Sequence, residues 1–216
     1  HVAEPVVQLH PQDMARRGLA AGDLVHVTSK RGSILVPVQA SSELGLSQAF
    51  MAMHWGAEYL SGVSSTGEPL AGVNALTTSA YCPTSKQPEL KHAAVKVLKA
   101  ELPWTLLGMA WLPGDQALSA RECLRALMAQ FSFASCVPFG RERTGVLFRA
   151  AAHEAPETGL IERIEALLGL NTPDALRYAD RRLGQRRTAR LVKQGDTSTL
   201  EGFLLAGDTR AEVWIK

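Results

Sequence analysis

The chain has 216 residues, 46% of them hydrophobic, and 23 Lys and Arg against 21 Asp and Glu leave a net charge of +2. That is enough apolar matter for one or two packed domains, and too little charge to argue for nucleic acid or a membrane surface. Three scattered cysteines, Cys82, Cys123 and Cys136, form no Cys-x-x-Cys pair. They argue against a disulfide framework or a metal knuckle and for buried, reduced thiols in a cytoplasmic protein. No apolar run approaches the roughly 20 residues a bilayer requires. The chain begins with His1 and stops at Lys216 in what reads as the start of a helix, so a piece of a longer protein is expected.

In chain order, Val6 to His10 reads as a strand, and Pro11 to Arg17 as a helical turn with Pro at its first position and Gly18 as its stop. Leu24 to Ser29 alternates as a strand does, and Arg31-Gly32 can turn it into Ile34 to Val38. Ala49 to Met53 is a further short strand. A Gly- and Ser-rich stretch, Ser61 to Gly72, reads as a long loop. Residues 92–99 close this part as its last strand. Short strands with one-turn helices predict a closed barrel, with a plain sandwich as the alternative.

The boundary falls at Leu102-Pro103, giving domains 1–102 and 103–216. The second half starts with an apolar strand, Trp104 to Leu112. Ser119 and Glu122 have capping-box spacing, and Leu124, Leu127, Met128 and Phe131 form a helical stripe. Two strands follow, Phe133 to Phe139 and Gly145 to Ala151. A helix faced by Leu160, Ile164, Leu167 and Leu168 then ends at Gly169. With a strand at Leu176 to Ala179, the order is β-α-β-β-α-β, the ferredoxin-like pattern. A hairpin of Thr188 to Gln194 and Leu200 to Ala206 is added to it, and Asp208 can cap a final helix.

Two segments carry more than periodicity. Residues 10–32, HPQDMARRGLAAGDLVHVTSKRG, place Asp13 at a helical turn and Gly18, Gly22 and Gly32 where the backbone must turn. Residues 74–97, NALTTSAYCPTSKQPELKHAAVKV, join an Asn-x-Leu-Thr stretch to Pro-x-Ser-Lys-Gln-Pro and a Lys. Together they resemble the molybdopterin-dinucleotide-binding domain that ends the chains of the dimethyl-sulfoxide-reductase superfamily. The resemblance implies a double-psi β-barrel and a molybdenum bis(molybdopterin guanine dinucleotide) cofactor. By that resemblance Asn74 and Lys91 contact the cofactor, with Lys86 and Gln87 on the same loop. An amide suits a pterin or guanine edge, and an ammonium suits a pyrophosphate. Residues 51–56, MAMHWG, resemble the family's stretch facing the pterin, which implies a hydrogen-bonding His54 and a packing Trp55. Cys82 stands where the family often has an acid, so an acid's contact is not carried over.

The stretches 1–19 and 53–56 and the extra second half look like bacterial assimilatory nitrate reductases. This implies reduction of nitrate to nitrite by oxygen-atom transfer. The molybdenum ligand and all catalytic groups are then expected outside residues 1–216, with amino-terminal catalytic domains of the same chain as partners, and iron–sulfur clusters in other parts of the full-length protein. The electron donor is a ferredoxin or an NADH-linked reductase subunit. Formate dehydrogenase of the same superfamily and a non-catalytic double-psi barrel are the alternatives. The basic run at 177–190 reads as a solvated face, or as a docking surface for an acidic donor.

Overall fold

A computed structural model describes residues 3–64, 67–70, 72–88 and 92–215. Contacts between backbone positions divide the chain into two units, Glu4–Glu101 and Leu102–Lys216. The chain as a whole is sheet-rich α+β.

The first unit contains β1 (Val7–Leu9), α1 (Pro11–Arg16), β2 (Leu24–Thr28), β3 (Ser33–Ala40), β4 (Ala49–Phe50), β5 (Leu60–Val63), β6 (Pro69–Leu70), a 3-10 turn at Val73–Leu76 and β7 (Lys96–Lys99). Five strands order as β4-β1-β3-β2-β7. In the centre lies β3, buried from Ile34 to Val38 without alternation, as a strand covered on both faces must be. It pairs in parallel with β1, Val7 opposite Val38, and antiparallel with β2, Val27 opposite Ile34. The parallel pair needs a crossover, which α1 and β2 supply.

Helix α1 starts where its sequence predicts, but by a different cap. The Nδ1 of His10 accepts the Gln12 N–H at 3.2 Å, and Pro11 fills the first turn, where an N–H has no partner. Asp13 lies inside the helix, 3% exposed, and its Oδ2 accepts the Ser47 N–H at 2.6 Å. This carboxylate fastens the 41–48 connection to α1. The Ser47 N–H, followed by the guanidinium of Arg17, holds the Asp13 carboxyl below its ordinary pKa. A depressed carboxyl stabilises the fold above its unfolded pKa, and that stability is lost as pH falls through the folded value. Asp13→Asn is therefore expected to flatten the acid limb of stability below about pH 4 and to lower the plateau at neutral pH. Urea midpoints measured from pH 2 to pH 7 check this.

Three expectations for this unit change. The stretch Ser61 to Gly72 contains a hairpin, β5 with β6, Gly62 opposite Leu70. Its glycines are packing and turning positions: a Cβ on Gly62 would stand 3.2 Å from the Leu35 Cβ, and Gly67 has φ +85°. The strand expected at Ala49 to Met53 stops at Phe50, and the one at 92–99 starts only at Lys96. Both are exposed edge pieces, which little burial extends.

The second unit runs β8 (Trp104–Trp111), α2 (Gly114–Leu127), β9 (Phe133–Phe139), β10 (Gly145–Ala152), α3 (Thr158–Leu167), β11 (Leu176–Asp180), β12 (Gln185–Gln194), β13 (Thr197–Ala206) and α4 (Glu212–Ile215). Its strands order as β11-β12-β13-β8-β10-β9, each antiparallel to its neighbour. Both long helices pack on one face. Leu124, Leu127, Ile161 and Ile164 meet Leu106, Ala110, Cys136, Phe148 and Leu204 there. On the other face Leu107, Met109, Leu147, Phe203 and Leu205 gather Ala211 and Ile215 of the carboxy-terminal turn.

Here the expected closing strand is displaced. The strand beside β8 is β13, not 176–179. Phe203, Leu204 and Leu205 are buried in β13, whereas Leu176 and Tyr178 of β11 are 60% and 55% exposed. Only β13 carries the apolar run that a central position demands, so β11 and β12 extend the sheet outward. The capping box at Ser119 and Glu122 is not one either. α2 begins at Gly114 behind Pro113, because Ala117 and Ala120 already belong to its buried face. Asp208 does not cap α4. Its Oδ1 accepts the Arg210 N–H at 2.9 Å, and the helix begins at Glu212. Much of the basic run is spent inward: Arg177 donates to the carbonyls of Leu170 and Thr172, Arg187 to that of Ala206, and Arg186 to Glu165.

Candidate cofactor site

In the first unit the two motif segments meet. A Cβ on Gly32, the last residue of the first motif, would stand 2.9 Å from the carbonyl oxygen of Ala75, in the second. Farther along, β7 closes the second motif onto β2 of the first, Val97 opposite Val27. The third segment joins them, since the Val73 N–H donates to the Trp55 carbonyl at 3.1 Å. A Cβ on Gly72 would lie 2.7 Å from the Gly56 Cα and 2.8 Å from the Trp55 oxygen. Residues 55–56 and 72–73 thus touch backbone to backbone, which the missing side chains of Gly56 and Gly72 allow.

The 3-10 turn buries Val73 and Leu76 and leaves Asn74 between them exposed. Its own carbonyl accepts the Thr77 N–H and hydroxyl, so the turn is closed locally without the Asn74 side chain. Asn74 lines a cleft of about 250 Å³ with Gly56, Ala57, Gly72 and Ala75. That is smaller than the roughly 300–1,000 Å³ of a pocket enclosing a whole ligand, a shallow ledge rather than an enclosing pocket. Trp55 is 5% exposed, its ring 4.4 Å from that of His54 and edge-on to Tyr59 at 5.6 Å. It acts on the cleft through its carbonyl, which holds Val73. His54, beside it, is exposed.

Lys86 and Gln87 sit on a separate closed turn. The Cys82 N–H donates to the Gln87 carbonyl at 2.8 Å and the Lys86 N–H to the Cys82 carbonyl at 2.9 Å, and Tyr81 bridges Pro88. Both Lys86 and Gln87 are exposed. The Cys82 thiol receives the Ser85 N–H at 3.5 Å. The hydroxyl and amide of Ser85, then the amide of Thr84, hold it below the ordinary thiol range. Sulfur thus takes the acceptor's place in the turn. Cys136 is the opposite case, buried in β9 and pushed up to about 12 by desolvation. Lys91 lies outside the described residues.

Of the residues expected at the site, Asn74 lines the cleft, while Trp55 and His54 lie on the adjoining segment and are not among its lining residues. Sequence reasoning missed Gly56, Ala57, Gly72 and Ala75, although small residues flanking both MHW and Val73-Asn74 were the available signal. Among the described residues no three His, Cys, Asp or Glu side chains gather as a metal site, and no helix is long and apolar enough to cross a membrane. The ledge fits a molybdopterin dinucleotide in kind. Gly72 packs against the backbone of Trp55 and Gly56 in its wall, where a Cβ would intrude, and Asn74 among its lining residues carries an amide with both a donor and an acceptor for a heterocycle edge.

Comparison with known proteins points the same way. Residues 1–94 match the family model described as "Molydopterin dinucleotide binding domain". A nitrate reductase of Symbiobacterium thermophilum is 38% identical over 97 residues, 43% of this chain and 11% of its own. A nitrate reductase of Synechocystis is 39% identical over 69 residues, 32% of this chain and 8% of its own. The F420-dependent formate dehydrogenase 2 subunit alpha of Methanococcus maripaludis is 30% identical over 98 residues, 45% of this chain and 13% of its own. The chain therefore spans only about a tenth of the length of these curated relatives. Residues 1–94 are a molydopterin dinucleotide binding domain, the module of molybdenum oxidoreductases that holds their molybdopterin dinucleotide.

Proposed function

We propose that this chain is the dinucleotide-holding part of a molybdenum enzyme that reduces nitrate to nitrite, its first unit serving one pterin-guanine dinucleotide of a bis(molybdopterin guanine dinucleotide) cofactor. The observations that carry the reading are the close approach of the two motif segments at Gly32 and Ala75 and, beside it, a cleft lined by Asn74 and Ala75 of the second motif with Gly56, Ala57 and Gly72. Asn74 would hold a heterocycle edge, Lys91 and Lys86 the pyrophosphate, and Gln87 and His54 neighbouring polar atoms, with Trp55 packed behind. The bound group supplies oxygen-atom transfer, and the chain contributes position and electrostatics. For the barrel we propose the double-psi form, which the parallel β1–β3 pair supports. The second unit, a ferredoxin-like arrangement closed by β13 and widened by a hairpin, serves as an accessory domain. Iron–sulfur clusters, the metal ligand and the route from a ferredoxin or NADH-linked donor belong to the remainder of a cytoplasmic parent. Nitrate is preferred as substrate on the 38% and 39% identities with nitrate reductases. Formate dehydrogenase is the second reading, on the 30% relative.

The test is nitrate-dependent oxidation of reduced viologen by the intact, molybdenum-loaded parent, with formate oxidation in parallel. Nitrate turnover is expected, and Asn74→Ala and Lys91→Ala should lower turnover and bound guanine nucleotide together. Oxidation of formate alone would keep the cofactor and replace the substrate. Parent chains that retain no molybdenum and turn over neither substrate would leave a plain binding module.

A further inference from the structure

Resting on the assignment of loop 81–88 to the dinucleotide, we propose that Tyr81 is a positioning residue, the aromatic face that holds the Lys86 ammonium ready for the cofactor's phosphates. The Lys86 Nζ lies 5.4 Å from the centroid of the Tyr81 ring, within the distance at which a cation is attracted to an aromatic face. Two further features make the pair directed. Lys86 has φ +60°, a left-handed conformation that L side chains rarely adopt and that persists only where the surroundings hold it. Those surroundings are the Lys86 N–H bond to the Cys82 carbonyl and the returning Cys82 N–H bond to Gln87. The backbone therefore aims Lys86 back across the turn, and the Tyr81–Pro88 bridge brings the ring beneath it.

What the turn can offer a ligand follows from what it has already spent. The N–H groups of Cys82 and Lys86 close the loop, and those of Ser85 and Gln87 meet the Cys82 sulfur and the Ser85 hydroxyl. An arriving anion meets side chains, and the ammonium is the charged one among them. Lys86 and Tyr81 are both exposed, so a free lysine would sample many rotamers and lose that freedom on binding. The ring removes part of the cost beforehand.

The test uses the 216-residue chain with guanosine diphosphate as the probe, read by titration calorimetry, and the Lys86 ε-methylene protons read by NMR. Tyr81→Leu should weaken binding about two- to five-fold, the span of an exposed cation–π contact, and erase the upfield ring-current shift of Lys86. Tyr81→Phe should keep both. Lys86→Ala should weaken binding at least as much as Tyr81→Leu, and the double variant no more than Lys86→Ala alone. Unchanged affinity in Tyr81→Leu with a loss in Lys86→Ala, or additive losses in the double variant, would overturn the role of Tyr81 and leave the cofactor assignment standing. No effect of Lys86→Ala, or no binding of the probe by the unaltered chain, would overturn the assignment of the loop and the proposal with it.

Discussion

Replacing Gly72 by Ala should weaken dinucleotide binding at the cleft while leaving the fold in place. Gly72 has φ −71°, which alanine adopts freely, so the backbone itself raises no objection. The added methyl does. It would stand 2.7 Å from the Gly56 Cα, 2.8 Å from the Trp55 carbonyl oxygen and 3.0 Å from the Gly56 carbonyl carbon. All three are backbone atoms with no rotamer to escape into, so residues 55–57 must move away from 72–73. That movement pulls on the Val73 N–H bond to Trp55 and shifts Gly56 and Ala57 against Asn74, the wall and rim of the cleft. Overpacking of this kind costs about 1–3 kcal/mol. Spent on the geometry of a binding ledge, that is on the order of a tenfold loss of affinity, at 1.4 kcal/mol per decade. Guanine nucleotide released per parent chain after denaturation should fall accordingly, with the far-ultraviolet circular dichroism unchanged. Gly114→Ala is the control, since a Cβ there meets nothing within 4 Å. Full nucleotide content in Gly72→Ala would mean that the cleft is not where the dinucleotide rests.

That experiment turns on a residue the motifs pass over, and the reason is physical. Gly18 and Gly22 are readable because a turn must follow a helix or enter a strand, and both do have φ above +60°. Gly72 has an ordinary φ, and its necessity comes from Trp55 and Gly56, sixteen or more positions away. Long-range crowding leaves no mark on local periodicity. The same division runs through the second unit. The α3 stripe and the Gly169 stop were legible as local pattern, while the place of β13 beside β8 was not. Leu176 to Ala179 alternates like a strand and forms one. What decides its rank is that its side chains stay exposed while Phe203, Leu204 and Leu205 compete for the centre. Likewise Asp13 reads locally as a helix-start residue, and its partner Ser47 is 34 positions distant. In the site, Asn74 was legible through its motif and its exposed turn follows from buried Val73 and Leu76 on either side. The cleft that Asn74 lines with Gly56, Ala57, Gly72 and Ala75 needed the folded first unit.

The second large effect concerns a pair that pins the outer hairpin of the second unit to its helix. Glu165 of α3 has a side chain only 3% exposed, and Arg186 of β12 approaches it at 2.5 Å through one terminal nitrogen and 2.9 Å through Nε. The buried Thr188 hydroxyl donates to the same carboxylate, and Glu162 reaches Arg186 from the rim at 3.4 Å. Hydrogen bonding to Glu165, ahead of every other influence, raises the Arg186 pKa above its ordinary range. Glu165→Ala strips a guanidinium and a buried hydroxyl of their acceptor at one stroke. Breaking a buried pair by removing one partner costs roughly 3–5 kcal/mol. Arg186 keeps 22% of its side-chain surface in water, so solvent and Glu162 relieve part of the loss and about 3 kcal/mol is expected. Against a whole-domain stability of about 5–15 kcal/mol, that should move the urea midpoint far while leaving the slope unchanged. Replacing both partners, Glu165→Met with Arg186→Met, should return most of the stability, because two apolar side chains leave no charge stranded. If the double replacement is as damaging as the single one, the pair does more than satisfy itself. The attachment of β12 to α3 would then depend on its geometry, which methionine packing cannot reproduce.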